Sequence, residues 1–182
     1  MRLWTVAHEE LIAEARRTGY GQPSWERVEP RWIPAYRWVL EKMRERGVTE
    51  ERDRVDRPPI WAWHSCLSWH QPPTRETIDL LLGLDPCNRA GLRMVTWTAR
   101  KDRILLSRYG AWCALLDRVV AGEEPSDPGD LFCPPLAEAE PPTWWRPGDE
   151  LQASVTGLSS EDIEAIDSLE TWSPSSEPGR SG

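Results

Sequence analysis

The stretch LWTVAHEELIAEARRTG, residues 3–19, decides how the rest of the chain is read. Leu3 to Val6 suits a short strand, and Leu11, Ile12 and Ala15 then fall on one face of a helix from about His8 to Arg17. Gly19 is the stop, and Arg16 and Arg17 sit at the end of the helix that favours positive charge. A strand running directly into a helix closed by glycine predicts a domain of mixed α and β structure.

The same alternation continues outward. Trp32, Tyr36, Leu40 and Met43 recur at four, four and three, placing them on one stripe of a second helix that ends near Gly47, with Arg44 and Arg46 in its last turn. The run from Thr49 to Arg57 is almost all charge and reads as solvated, after which Pro58 and Pro59 force an extended entry into Ile60 to His64. In that strand Trp61 and Trp63 share one face, and Ile60, Ala62 and His64 the other. Thr74 is placed to cap a helix reaching Leu82. Arg93 to Thr98 and Arg103 to Leu106 read as two strands whose polar turn, Arg100 to Asp102, suggests a hairpin. Ser107 is placed to cap a helix from Arg108 to Val120, with Trp112, Leu115, Leu116 and Val119 in helical period before Gly122. Glu123 to Pro142, acidic and rich in proline, reads as a long surface connection and the most mobile loop. Glu150 to Val155 is a further strand, and Ser159 with Asp162 has the spacing of a capping pair for a helix to Ile166. From Ser173 the composition supports no packing and predicts a disordered tail.

Short strands intermixed with helices predict an α+β fold, a mixed and mainly antiparallel sheet with peripheral helices, in one domain over residues 1–172 with the acidic loop at 123–143. Such a length supports one core without disulfides or metals. With 22 basic against 30 acidic residues the net charge is −8, so strong nucleic-acid binding is not expected, nor is attraction to an anionic membrane. No segment has the roughly 20 apolar residues of a bilayer helix. MRLWTVAHEEL lacks the pattern of a signal peptide, so a cytoplasmic location is expected. Cys66, Cys87, Cys113 and Cys133 are dispersed without a CxxC pair, as reduced thiols would be. The chain holds 12 Trp against one Phe and three Tyr, so its aromatic surface is almost entirely indole, and each buried indole must place an N–H.

Motifs exclude more than they assign. GxxxxGK[ST], GxGxxG and GxSxG are all absent, which sets aside the nucleotide and hydrolase folds they mark. His64, Cys66 and His70 in HSCLSWH could offer three ligands to a metal or a thiol with a base, but the spacing matches no ligand rule and nothing marks a stabilised thiolate. No metal is expected.

The order of landmarks carries two resemblances. LWT at 3–5, AYRWVLEKM at 35–43, PPIWAW at 58–63 and ILLSRYGAW at 104–112 resemble those of an uncharacterised bacterial family of unknown function, over about residues 1–166. That likeness implies no reaction. The two ends also resemble the frame of ADP-ribosyltransferase-like domains, particularly the bacterial DNA-modifying ones. In those a first strand leads into a helix and a glycine, as LWTVAHEELIAEARRTG does, and a glutamate opens a late strand before a capped helix, as DELQASVTGLSSEDIEAI does. This resemblance implies NAD as the cofactor, and Glu150 as the catalytic glutamate, with Gln152 the alternative if the register differs by two. It also implies Arg2 or Thr5 at the polar position of the first strand. The chain departs from the family in having no clear histidine or arginine plus tyrosine pair of the NAD-anchoring kind.

Breaking the bond from nicotinamide to ribose builds positive charge on the sugar, which a carboxylate stabilises, and an aromatic wall would stack on the nicotinamide. Trp61, Trp63, Trp97 and Tyr36 are the candidates for that wall. The expected activity is therefore NAD-dependent ADP-ribosyl transfer or NAD glycohydrolysis. The alternative is a noncatalytic protein-binding module, an immunity or regulatory partner, that presents an indole-rich surface to a protein partner.

Overall fold

A computed structural model describes residues 1–49, 53, 56–83, 89–127, 129–134 and 141–174. Strand β1 (Arg2–His8) passes directly into helix α1 (Glu9–Thr18), whose first turn holds Glu9 and Glu10 and whose last turn holds Arg16 and Arg17. Gly19 ends the helix at φ 85°, the left-handed conformation that glycine tolerates, and donates its N–H to the Ala15 carbonyl. The remaining main elements, in order, are β2 (Tyr20–Gly21), α2 (Ile33–Glu45), β3 (Ile60–Ser65), α3 (Arg75–Leu82), β4 (Leu92–Thr98), β5 (Leu105–Arg108), α4 (Tyr109–Val120), β6 (Leu151–Val155), β7 (Leu158–Ser159) and β8 (Ile163–Ser168). The fold is α+β.

Six strands form one antiparallel sheet in the order β5-β6-β3-β1-β4-β8, while β2 and β7 pair separately. The two-residue period gives this sheet two apolar faces. On one, Leu3, Ala7, Ile60, Ala62, Val95, Trp97 and Ala153 pack with Ile12 and Ala15 of α1. On the other, Trp61 and Leu105 pack with Ala35 and Val39 of α2 and Trp112 and Leu115 of α4. Also on that second face, Trp4 and Met94 pack against Ile78 of α3. The central strand β1 pairs along its whole length with β4, from Arg2 opposite Thr98 to His8 opposite Leu92, but with β3 only at Trp4 opposite Trp63.

Several expectations are corrected. The strands of the expected hairpin exist but do not pair: β4 lies between β1 and β8, and β5 lies at the far edge beside β6. Because every neighbouring pair is antiparallel, β4 and β5 run in the same direction, which no tight turn can connect. Residues 159–166 are not a helix. Ser159 makes no side-chain cap, a single 3₁₀ turn covers Ser160–Asp162, and Ile163–Ser168 instead fills the free edge of β4. Ser107 caps nothing and is buried within β5. Thr74, by contrast, caps α3 by accepting a hydrogen bond from the Thr77 N–H.

Within the proline-rich connection, Leu131 and Cys133 are buried, and their backbones bond Arg108 and Leu106 beside β5. Residues 128 and 135–140 of it lie outside the described residues, as do 50–52, 54 and 55 of the charged run and 175–182 of the expected tail. Among the described residues no helix is long and apolar enough to cross a membrane.

Candidate functional site

On the second face of the sheet, α2 and α4 cover the β5 side and α3 the β4 side, leaving a cleft of about 680 Å³ over the strands between them. That volume is in the range of sites that enclose small ligands. Its floor is Val6 of β1, Trp61 and Trp63 of β3, and Gln152 of β6, and its wall includes Tyr36 of α2 and Trp112 of α4. Strand alternation explains the floor: Trp63 is the register partner of Gln152, and Trp61 of Ser154, so all four point to one side.

The indoles and phenol pack on one another. Trp61 stacks on Trp112 at 4.2 Å between ring centres, and Tyr36 meets both edge-on at 5.5 and 5.6 Å. Burial pushes the Tyr36 phenol well above its ordinary pKa, so it stays neutral in the physiological range. Thr5 lies beneath this group, and its hydroxyl donates to the Trp61 carbonyl at 2.6 Å where β1 and β3 share no register pair. The side chain thus takes over a carbonyl that a ladder N–H would otherwise satisfy. Thr5→Val should leave that carbonyl unpaired and cost about 1–3 kcal/mol of unfolding free energy in urea titration, with Thr5→Ser restoring most of it.

At the mouth of the cleft Arg27 is paired with Glu10 at 2.7 Å, whereas Arg57 beside Pro58 and Pro59 has no ion pair among the described residues. Glu14 and Asp117 stand on the same rim.

Glu150 immediately precedes β6, two residues before Gln152, and is half-buried. Its Oε1 accepts a hydrogen bond from the Cys66 thiol at 3.2 Å, and its backbone carbonyl accepts one from the Tyr109 N–H at 3.0 Å. It lines a second, more open groove of about 660 Å³ with Arg108, Tyr109, Arg118 and Asp149, and Tyr109 borders both this groove and the indole cleft. Burial, then Cys113, Glu150 and Cys66, push the Tyr109 phenol up to about 12, while burial first of all pushes the Cys66 thiol up to about 11. Cys66 therefore acts as a neutral donor to Glu150, and the absence of thiolate character argues against it as a nucleophile.

Of the residues nominated from the sequence, Gln152, Tyr36, Trp61 and Trp63 come together in the cleft, with Thr5 buried beneath them against the Trp61 carbonyl and Glu150 beside the cleft across Tyr109. Two do not. Arg2 projects from the edge of the face and pairs with Glu164 of β8 at 2.7 Å. Trp97, 1% exposed, lies on the opposite face in the core shared with α1, because its register partner is Leu3 and not Trp4. Trp112, Tyr109 and Arg57 were missed. Trp112 falls in the period that makes α4 a core helix, and nothing local separates an indole facing a core from one facing a cleft. Of the twelve tryptophans only Trp32 is exposed, and it lines the cleft mouth.

His64, Cys66 and His70 are divided by an irregularity in the ladder between Trp63 and Ser65. Cys66 turns to Glu150 and Thr77, whereas His64 stacks on His70 at 5.1 Å and shares a 2.8 Å hydrogen bond with Ser65. Among the described residues no group of three such side chains is arranged to hold a metal. Burial, then His70 and the amino terminus, push His64 from 6.5 down to about 3. On acidification the unfolded chain takes up a proton at this position near 6.5 and the folded protein only near 3. The stability from neutral His64 is therefore complete above pH 6.5 and lost below it, at about 1.4 kcal/mol per pH unit. His64→Asn should remove that contribution: the difference in unfolding free energy between wild type and variant should shrink as the pH falls from 7 to 4.

No family model matches the chain, and no curated protein or solved structure matches it either.

Proposed function

We propose that the cleft binds NAD and that the protein is an NAD-dependent ADP-ribosyltransferase or NAD glycohydrolase. The observation that carries this reading is the gathering of Thr5, Tyr36, Trp61, Trp63 and Gln152 around one cleft whose boundary residue, Tyr109, also touches Glu150. A first strand followed at once by a helix and glycine, and a glutamate immediately before the late strand β6, match two parts of that frame, whereas its capped helix is replaced by a 3₁₀ turn and strand β8.

The parts have consistent roles. Indole and phenol rings suit a planar nicotinamide, and Arg57 at the cleft mouth suits a pyrophosphate. Glu150, with its carboxylate held by a neutral thiol, supplies negative charge as the bond from ribose C1′ to nicotinamide breaks. The bonding pair leaves with nicotinamide, and an acceptor or water forms the new bond at C1′ while losing a proton.

Titration of the purified protein with NAD, followed by tryptophan fluorescence and by assay of released nicotinamide, tests this directly. Saturable quenching with release is expected, because Trp61, Trp63 and Trp112 line the cleft. An unchanged spectrum up to millimolar NAD would overturn the reading.

A further inference from the structure

We propose that Gln152 makes the cleft floor an amide-reading site, pairing its own carboxamide edge to edge with a carboxamide on the ligand. This rests on the reading of the cleft as a nicotinamide site and names the side chain that recognises the ligand's polar group.

Gln152 lines the cleft at 7% exposure, and its Oε1 is buried without a hydrogen-bond partner. Directly opposite, Trp63 is 5% exposed and its Nε1–H is likewise buried and unpartnered. On the other flank Ser107, the register partner of Gln152 on β5, is fully buried with an unpartnered Oγ. Buried polar atoms without partners are few in folded proteins, and three in one row across adjacent strands is a concentration that packing does not require. An apolar side chain at any of these positions would leave no polar atom unpaired.

The chemistry of the row selects its ligand. A carboxamide offers an acceptor and two donors in one plane, and its terminal torsion is broad, so a half-turn exchanges Oε1 and Nε2 at the cleft without changing shape. Its complement is a second carboxamide, whose carbonyl takes the glutamine N–H while its N–H goes to the glutamine carbonyl. A ketone of the same shape makes one of these bonds and leaves the glutamine oxygen unpaired. A carboxylate also lacks the donor and brings charge into an apolar site.

The test compares nicotinamide with 3-acetylpyridine, which keeps the ring and carbonyl but has a methyl in place of the amide nitrogen, by calorimetric titration. Wild type should bind nicotinamide about tenfold more tightly, and Gln152→Met should bring the two affinities together. The thermal melt of Gln152→Met reports its folding, and if the variant does not fold the wild-type ratio decides alone. Equal affinities in wild type, retention of the preference in folded Gln152→Met, or binding of neither compound would each overturn the proposal. A preference that depends on Gln152 in a protein that does not bind NAD would leave the amide site standing and remove the NAD-consuming function.

Discussion

Glu150→Gln should lower nicotinamide release from NAD by a hundredfold or more while leaving NAD quenching of tryptophan fluorescence within about threefold of wild type. The magnitude follows from removing one preorganised charge at a developing positive centre, a loss of roughly 10²–10³ in rate. Retained binding follows from geometry: Glu150 lies across Tyr109 from the indoles, and glutamine keeps an oxygen able to accept the Cys66 thiol. A parallel loss of binding and release would instead make Glu150 a structural support of the loop before β6. Unchanged release would remove it from the chemistry.

Trp97→Ala should have the largest effect on stability, about 3–5 kcal/mol, read as a lowered midpoint in urea and a lower melting temperature. Trp97 is 1% exposed on β4, between β1 and β8, and packs in the core closed by α1. Alanine leaves a cavity that neighbours held on strands cannot collapse to fill. Because this core lies on the face away from the cleft, NAD affinity measured below the melting transition should hold. A selective loss of affinity with unchanged stability would return Trp97 to the ligand wall, where the sequence alone had placed it.

These two substitutions mark the limit of what was legible. The reading of residues 3–19 as strand, helix and glycine stop depends on neighbours no more than four apart, and each part is observed. The same holds for Thr74 as a cap and for Trp61 and Trp63 on one face of β3. Where the reading failed, the competing forces were distant. Ser159 and Asp162 have capping spacing, but Ile163 and Ile166 are β-branched and β4 offered an edge that a strand could pair. Arg100 to Asp102 resembles a hairpin turn, but both edges of β4 are taken, one by β1 from the start of the chain and one by β8.

The candidate site divides in the same way. Glu150 and Gln152 were nominated as alternatives for one position. They occupy different surroundings, Gln152 in the apolar floor and Glu150 at the open groove beyond Tyr109. Both lie near the cleft because residues two apart on a strand share a face, so an error of two in register keeps the side while moving the depth.

By itself the sequence determined the mixed α+β class, the elements that open the chain, the face shared by Trp61 and Trp63, and the acidic balance, because periodicity, caps and charge act over a few residues. Only the tertiary structure decided which tryptophans became core and which a cleft. An indole's role depends on what covers its side of the sheet, and that is fixed by where α1, α2, α3 and α4 pack across contacts that no local pattern encodes.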